Sequence, residues 1–405
     1  MGFAERLRAL MDERGFSGKA LARKVPCDAA YVSRLINGKQ RPSRNIARRL
    51  DEILGASGAL AALAPVPHNE SRAQQFHPLA EAVDLGAWLE QTNIGPGTLG
   101  YLASTAQRLA NDYTRKPPLT VLNDAVEVQR RITALLRHGR QHLGQAHDLC
   151  RIAAETFALL TLLCSDVGEY AAADAYGHAG WICAKESGSD LASAFVLSAQ
   201  AKTAQWEKRY MEAAARARLG YELCPPAGTR ILLACQEANA AQAVGDFTRA
   251  REALSRARAA QDAIPDHGAS TAWSCPLPRE ANYAAIVNLG CGDFARSLKE
   301  AGRADEAWST GAPWVYGTWA QVRIGAAIAH VGDGEAEGAA QEIAPVLAIP
   351  SDYRVVTITD RLAYVNRLLQ APRYRDNHAA ADLGDQIAEF CASSLRGKAL
   401  APGER

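Results

Sequence analysis

The chain has 405 residues, of which 48% are hydrophobic and 22% are charged, ordinary values for a globular protein that exclude a disordered one. Its length predicts two or three domains, or one small domain and a repeat array. The net charge of +1 excludes a uniformly basic nucleic-acid coat. Residues 1–64, the head, carry 12 Lys and Arg against 6 Asp and Glu, and the remaining residues carry 33 against 38. A basic head on a mildly acidic body suggests a nucleic-acid-binding module attached to a second part.

The cysteines and the apolar segments indicate a soluble, cytoplasmic protein. The nine cysteines include no C-x-x-C pair, so we expect reduced thiols and neither a disulfide scaffold nor a zinc ribbon. Charged residues interrupt the stretch from Glu5 to Glu13, from which we expect no signal peptide. No stretch reaches about 18 uninterrupted apolar residues, so we expect no contact with a membrane.

Residues 3–54 predict a series of four to five short helices. Phe3, Leu7 and Leu10 form an apolar stripe on a first helix that ends near Gly15. Three further helices each follow a residue whose side-chain oxygen can cap a helix N-terminus: Ser17, Asp28 and Ser43. Pro26 ends the second helix because proline lacks an N–H group, and Gly38 ends the third. The second and third helices, joined by a short turn, have the order of a helix-turn-helix.

The segment FSGKALARKVPCDAAYVSRLINGKQRPS, residues 16–43, resembles the Cro/repressor-type helix-turn-helix of XRE-family transcription regulators. The matching residues are Leu21-Ala22, Val32-Ser33, Asn37-Gly38-Lys39 and Arg41-Pro42. The resemblance implies that the third helix lies in the major groove of DNA. It departs from the family at Gly18, where many members have a glutamine that contacts DNA.

The resemblance also implies which residues contact DNA. The residues expected to reach base edges are Ala29, Ala30, Tyr31, Ser33 and Arg34. Among them Arg34 is best suited to a bidentate contact with guanine. The residues expected to contact phosphates are Lys19, Asn37, Lys39, Arg41 and Arg44. Phosphate contacts add salt-dependent affinity without sequence information.

The remaining chain divides into a linker, a body and a tail. Two prolines in Ala64-Pro65-Val66-Pro67 favour an extended spacer, so we place a linker at residues 65–78. Residues 79–398, the body, are rich in alanine and lack period-two alternation, which predicts an all-α fold. Residues 399–405 are a short tail.

The body contains a degenerate repeat of a helix, a polar turn with glycine or an acidic residue, and an alanine-rich helix. The units begin at Ser165, Ala204, Gln242, Lys299 and Ala329. The second helices carry small residues that allow close packing: Ala173, Ala213, Ala250 and Ala307. The first three units recur at about 40 residues, longer than the about 34 of tetratricopeptide repeats, which they resemble. Such units must stack to bury their apolar faces, so we expect a tetratricopeptide-like α-solenoid.

The combination of this head with a repeat body resembles two groups of regulators. The segment from Gln91 to Pro118 looks like the region that joins head and repeats in actinobacterial regulators of this architecture. The architecture alone also resembles that of Gram-positive peptide-pheromone receptors. The expectation is a sequence-specific DNA-binding transcriptional regulator that acts on double-stranded DNA as a homodimer. Its repeat domain would sense a peptide or small-molecule effector. The alternative is a protein-interaction scaffold with a vestigial or assembly-only helix-turn-helix.

Other candidate sites have simpler interpretations. His138 and His142 lie four residues apart and would share one helical face, but neither a carboxylate nor a cysteine lies at a metal-ligand spacing. The sequence contains no phosphate-binding loop and no dinucleotide fingerprint. We therefore expect no metal, no cofactor and no enzymatic activity. Tryptophans such as Trp206 and Trp314 are typical of a core, unless the concave surface of the solenoid exposes them to a ligand.

Overall fold

The computed structural model describes residues 2–25, 27–64, 78–263, 270–396 and 398. Pro26, most of the predicted linker and the tail lie outside this range. The described residues are helical and contain no β-strand, which confirms the all-α prediction. The chain divides into two units, Met1–Ala87 and Trp88–Arg405. No helix within the described ranges is long and apolar enough to cross a membrane.

The described residues of the head form four α-helices and one 3₁₀ helix, in agreement with the predicted four to five short helices. They are α1 Phe3–Glu13, α2 Gly18–Ala22, α3 Ala29–Ile36, α4 Arg44–Leu54 and the 3₁₀ helix Ala61–Leu63. The three predicted caps form, because Ser17, Asp28 and Ser43 each accept a hydrogen bond from the backbone N–H three residues later. Gly38 follows α3 with a φ of 68°, a left-handed conformation that glycine adopts without strain.

The core of the head is formed by leucines from all four helices. The fully buried side chains include Leu7, Leu21, Leu35 and Leu50. Asp51 is a buried carboxylate in α4 that sequence analysis did not identify. It accepts the backbone N–H groups of Leu60 at 2.9 Å and Ala61 at 2.5 Å. These two bonds fix the chain that follows α4 and the start of the 3₁₀ helix.

Fifteen α-helices follow the head among the described residues. They are α5 Pro78–Leu89, α6 Pro96–Asp112, α7 Pro118–His138, α8 Leu143–Asp166, α9 Tyr170–Ser187, α10 Asp190–Trp206, α11 Tyr210–Leu223, α12 Gly228–Ala243, α13 Phe247–Asp262, α14 Leu277–Gly290, α15 Phe294–Ser309, α16 Tyr316–Asp333, α17 Ala336–Leu347, α18 Val356–Leu369 and α19 His378–Ala392. From α8 onward they pack as successive hairpins, and the first helices of the hairpins pack against one another in chain order. The body is therefore a helical repeat, as predicted, and its four predicted small residues are buried.

The tight hairpin turns share one geometry. In four of them a glycine has a positive φ: Gly168, Gly245, Gly292 and Gly334. In each, the next residue donates its N–H to the carbonyl five residues earlier, as Asp246 does to Ala241 at 2.9 Å. This bond satisfies a carbonyl that the end of the helix leaves without a partner. The α10–α11 turn has the same bond, from Arg209 to Ala204 at 2.8 Å, but its left-handed residue is Lys208, with a φ of 62°.

One predicted turn is wrong. In the unit that begins at Lys299, the pattern of a helix, a glycine turn and a helix places the turn at Gly302, but α15 runs through this residue. Ala301 and Ala304 are buried on the packed face, and Arg303 forms an ion pair with Glu300 across the glycine. Tertiary packing therefore outweighs the cost of about 1 kcal/mol that glycine adds inside a helix. The turn lies at Gly292-Asp293, where Gly292 has a φ of 74°.

The two ends of the helical repeat come together. α18 packs against α8, and the 3₁₀ helix Ser351–Tyr353 packs against α7. On another side, the loop before α14 meets the end of α6, where the N–H of Ala272 donates to the carbonyl of Ala110 at 2.9 Å. The first helices of the hairpins thus surround a chamber of about 660 Å³ within the body.

Candidate nucleic-acid interface

The third helix presents most of the predicted base-contacting residues to solvent. Ala29, Ala30, Ser33 and Arg34 are exposed, whereas Tyr31 is half-buried and packs against the core of the head. Val32 and Leu35 form the buried side of α3. Because the buried residues anchor one face, the opposite face stands free at the surface, as a recognition helix requires.

Arg34 is held by a residue that sequence analysis did not identify. Its Nε donates a hydrogen bond to Oε1 of Gln40 at 2.9 Å. Gln40 reaches Arg34 because Gly38 reverses the chain at the end of α3. The bond fixes the plane of the guanidinium and leaves both Nη groups free for the two acceptors of a guanine edge. The only sequence signal for this role was the position of Gln40 just beyond the glycine.

The predicted phosphate-contacting residues are also at the surface. Lys19, Asn37, Lys39, Arg41 and Arg44 are all exposed. Within the described head, none of the four cations has a carboxylate within salt-bridge distance, so their charge is available to a partner. Asn37 donates to the carbonyl of Ser33 at 2.9 Å, which leaves its side-chain oxygen as the exposed group. Gly18, the first residue of α2, presents no side chain, so α2 offers no side-chain contact at this position.

The other candidate residues have structural roles or different positions. The prediction that His138 and His142 share a helical face is wrong, because α7 ends at His138 and His142 precedes the first residue of α8. Among the described residues, no three His, Cys, Asp or Glu side chains lie close enough together to hold a metal ion. Burial raises the pKa of Cys164 to about 12 and that of Cys183 to about 11. Of the tryptophans, Trp206 borders the chamber and Trp314 is exposed.

The geometry of residues 3–64 is that of a helix-turn-helix, and comparison with known families agrees with it. Residues 3–64 match the family described as a helix-turn-helix domain. No curated protein matches the chain. The protein thus combines an N-terminal helix-turn-helix domain, the fold of DNA-binding regulators, with an all-helical, repeat-like body.

Proposed function

We propose that this protein is a cytoplasmic, sequence-specific transcriptional regulator of the XRE type that binds double-stranded DNA through its head. The observation that carries the proposal is the exposed face of α3, where Gln40 orients Arg34. Four unpaired cations, Lys19, Lys39, Arg41 and Arg44, accompany that face at the surface. This arrangement supplies one group suited to reading a base and several suited to phosphates.

We further propose that the protein acts as a homodimer. A single helix-turn-helix offers one short recognition helix and reads only a few base pairs. Two copies on half-sites one helical turn apart, about 34–36 Å, supply the specificity that a regulator needs. The twofold symmetry of such a dimer predicts a palindromic operator.

The body, which we assign to the tetratricopeptide type, would sense an effector. Its support is the chamber of about 660 Å³, a size typical of small-ligand pockets. Burial raises the pKa of three tyrosines that border it, Tyr113, Tyr283 and Tyr316. All three remain protonated at neutral pH. The O–H of Tyr113 donates to Asp166 at 2.7 Å, which leaves Tyr283 and Tyr316 as hydrogen-bond donors for a ligand. Protonated tyrosines suit binding better than acid–base catalysis.

The proposed DNA binding is tested by a salt titration on random-sequence duplex DNA. Each cation that neutralises a phosphate contributes about −0.9 to the slope of log K against log salt. Four such cations per head predict a slope of about −3.6, and a dimer predicts about twice that value. Replacing both Lys39 and Arg41 with Gln is expected to make the slope shallower by about 1.8 per head.

Arg49→Gln is the matched control, because Arg49 forms an ion pair with Glu52 on α4 and lies outside the predicted interface. It is expected to leave the slope unchanged. Absence of salt-dependent binding in the wild-type protein would refute the proposal. It would favour the alternative of an interaction scaffold whose helix-turn-helix serves only assembly.

A further inference from the structure

The chamber has an excess of positive charge. Its wall contains five cationic side chains, Lys202, Lys208, Arg279, Arg361 and Arg367, but only two carboxylates, Asp166 and Asp360. Both carboxylates are already paired. Lys202 Nζ lies 2.6 Å from Asp166, and Arg396, which is not part of the wall, lies 2.7 Å from Asp360. Four cations of the wall are therefore left without a carboxylate partner in the described part of the chain.

Two of these cations are anchored from behind by neutral groups. Arg279 donates through Nη1 to the carbonyls of Ala272 at 3.2 Å and Ser274 at 2.7 Å. Arg361 donates through Nη1 to Oε1 of Gln321 at 2.6 Å. Burial lowers the pKa of Arg361 to about 10, so it is still charged at neutral pH. A guanidinium that is held deep in a wall without a counter-ion is a site at which an anion replaces the lost hydration.

The same wall contains buried hydrogen-bond acceptors without partners. Gln236 and Asn282 are only 7% and 8% exposed, and their buried side-chain oxygens accept no hydrogen bond. The orientation of Gln236 is fixed, because its Nε2 donates to the carbonyl of Ser198 at 3.1 Å. An unpaired buried acceptor is unfavourable by itself, so a ligand whose hydroxyl or amine donor reached either oxygen would stabilise the wall.

Lys208 is a third, independent indication. It takes the left-handed position that glycine fills in the four comparable turns, and its side chain borders the chamber. A lysine disfavours this backbone conformation, because its Cβ approaches the following carbonyl oxygen. Strain of this kind persists where the side chain is used.

We propose that the chamber binds a small organic anion, with its negative charge against Arg279, Arg361 and Lys208 and its hydroxyl or amine groups toward Gln236 and Asn282. The anionic group is a carboxylate or a phosphate, since guanidinium groups bind both. A compact molecule fits better than an extended peptide, which needs about 3.3 Å of open groove per residue, because contacts between the ends of the repeat close one side of the chamber. This anion is the effector of the proposed sensing step, and its regulatory role rests on that proposed function.

The test is isothermal titration calorimetry of the full-length protein in chloride buffer with two probes. Citrate supplies carboxylates and a hydroxyl group, and adenosine monophosphate supplies a phosphate and several donors. The neutral comparison ligands are glycerol and adenosine. We expect saturable binding of at least one anion and none of its neutral counterpart. Which anion binds distinguishes a carboxylate from a phosphate ligand.

Two variants test the wall itself. Arg361→Gln is expected to weaken binding about tenfold or more, because it removes a charge-assisted hydrogen bond. Lys208→Gly is expected to weaken binding about threefold while the ligand-free protein melts at the same or a higher temperature, because the turn loses its strain. Lys208→Gly therefore separates loss of binding from loss of folding. Arg296→Gln removes an exposed cation of α15 outside the chamber and is the control for net charge.

Two outcomes would overturn the inference: no binding of either anion at millimolar concentration, or equal binding by the wild type and both wall variants. DNA affinity is measured on the same samples. Anion binding without salt-dependent DNA binding would refute the proposed regulatory function and leave the anion site standing. DNA binding without anion binding would refute the anion site and leave the proposed DNA-binding function standing.

Discussion

The contact between Gln40 and Arg34 predicts that a residue outside the recognition helix contributes to specificity. If Arg34 makes a bidentate contact with guanine, Arg34→Ala is expected to weaken specific binding by ~1–3 kcal/mol, a factor of about 5 to 150. Gln40→Met removes the acceptor that lies 2.9 Å from Nε of Arg34. Losing one such bond predicts a smaller change of about 0.5–1.5 kcal/mol, a factor of about 2 to 12.

The two variants are combined in a double-mutant cycle. The operator is first selected from a random duplex library, and dissociation constants are then measured by fluorescence anisotropy at one salt concentration. If Gln40 acts only by orienting Arg34, Gln40→Met has no further effect once Arg34 is alanine. The coupling energy then equals the whole effect of the single Gln40 variant. Asn45→Ala, a neutral change at an exposed position of α4, is the control.

Two results would refute this reasoning. Unchanged affinity and base preference in Arg34→Ala would show that α3 does not read DNA through this residue. Additive effects of the two variants would show that Gln40 contacts DNA itself or stabilises the loop. In that case the hydrogen bond between Gln40 and Arg34 does not contribute to specificity.

Two further predictions concern the stability of the head and the chemistry of the thiols. Asp51→Ala leaves the buried N–H of Leu60 and the half-buried N–H of Ala61 without their acceptor, so the head is expected to lose about 1–3 kcal/mol of stability. In Asp51→Ala, hydrogen-exchange protection of residues 44–64 should fall. In Glu52→Ala, a substitution at the exposed neighbouring residue, it should change little. Equal protection in both variants would contradict this prediction. Because burial raises the pKa of Cys164 to about 12 and of Cys183 to about 11, less than about 1% of either thiol is ionised near pH 8.5. Iodoacetamide should therefore label the exposed Cys291 and spare both, as read by peptide mass spectrometry; labelling of Cys164 at the rate of Cys291 would be inconsistent with its burial.

The head could be predicted closely from sequence because its signals are local. Each cap acts over three residues, so Ser17, Asp28 and Ser43 marked the starts of three helices that the structure confirms. The bonds of Asp51 were not predictable in this way. They join residues nine and ten positions apart across an irregular chain, and one aspartate in a helix otherwise resembles any solvated charge.

The body could be predicted as a class of fold but not as a site. The hairpin pattern is periodic, and periodicity is visible in sequence. The chamber depends on the approach of α18 to α8 and of Ala272 to Ala110, which join distant parts of the chain. The excess of cations in its wall is likewise hidden, because the body as a whole is mildly acidic. Only the folded structure shows that Arg279 and Arg361 have no carboxylate partner among the described residues, whereas Lys202 in the same wall is paired with Asp166.

Lys208 shows how a departure from a local rule can identify function once the rule is known. The left-handed conformation disfavours a residue other than glycine by roughly 1–2 kcal/mol. In this body the rule is explicit, because four hairpin turns with the same hydrogen bond use glycine, and among the described hairpin turns with that bond only the α10–α11 turn uses lysine. Glycine would fit the α10–α11 turn equally well, so folding alone does not explain the lysine. Its contribution is an additional positive charge at the edge of a chamber whose cations already outnumber its carboxylates.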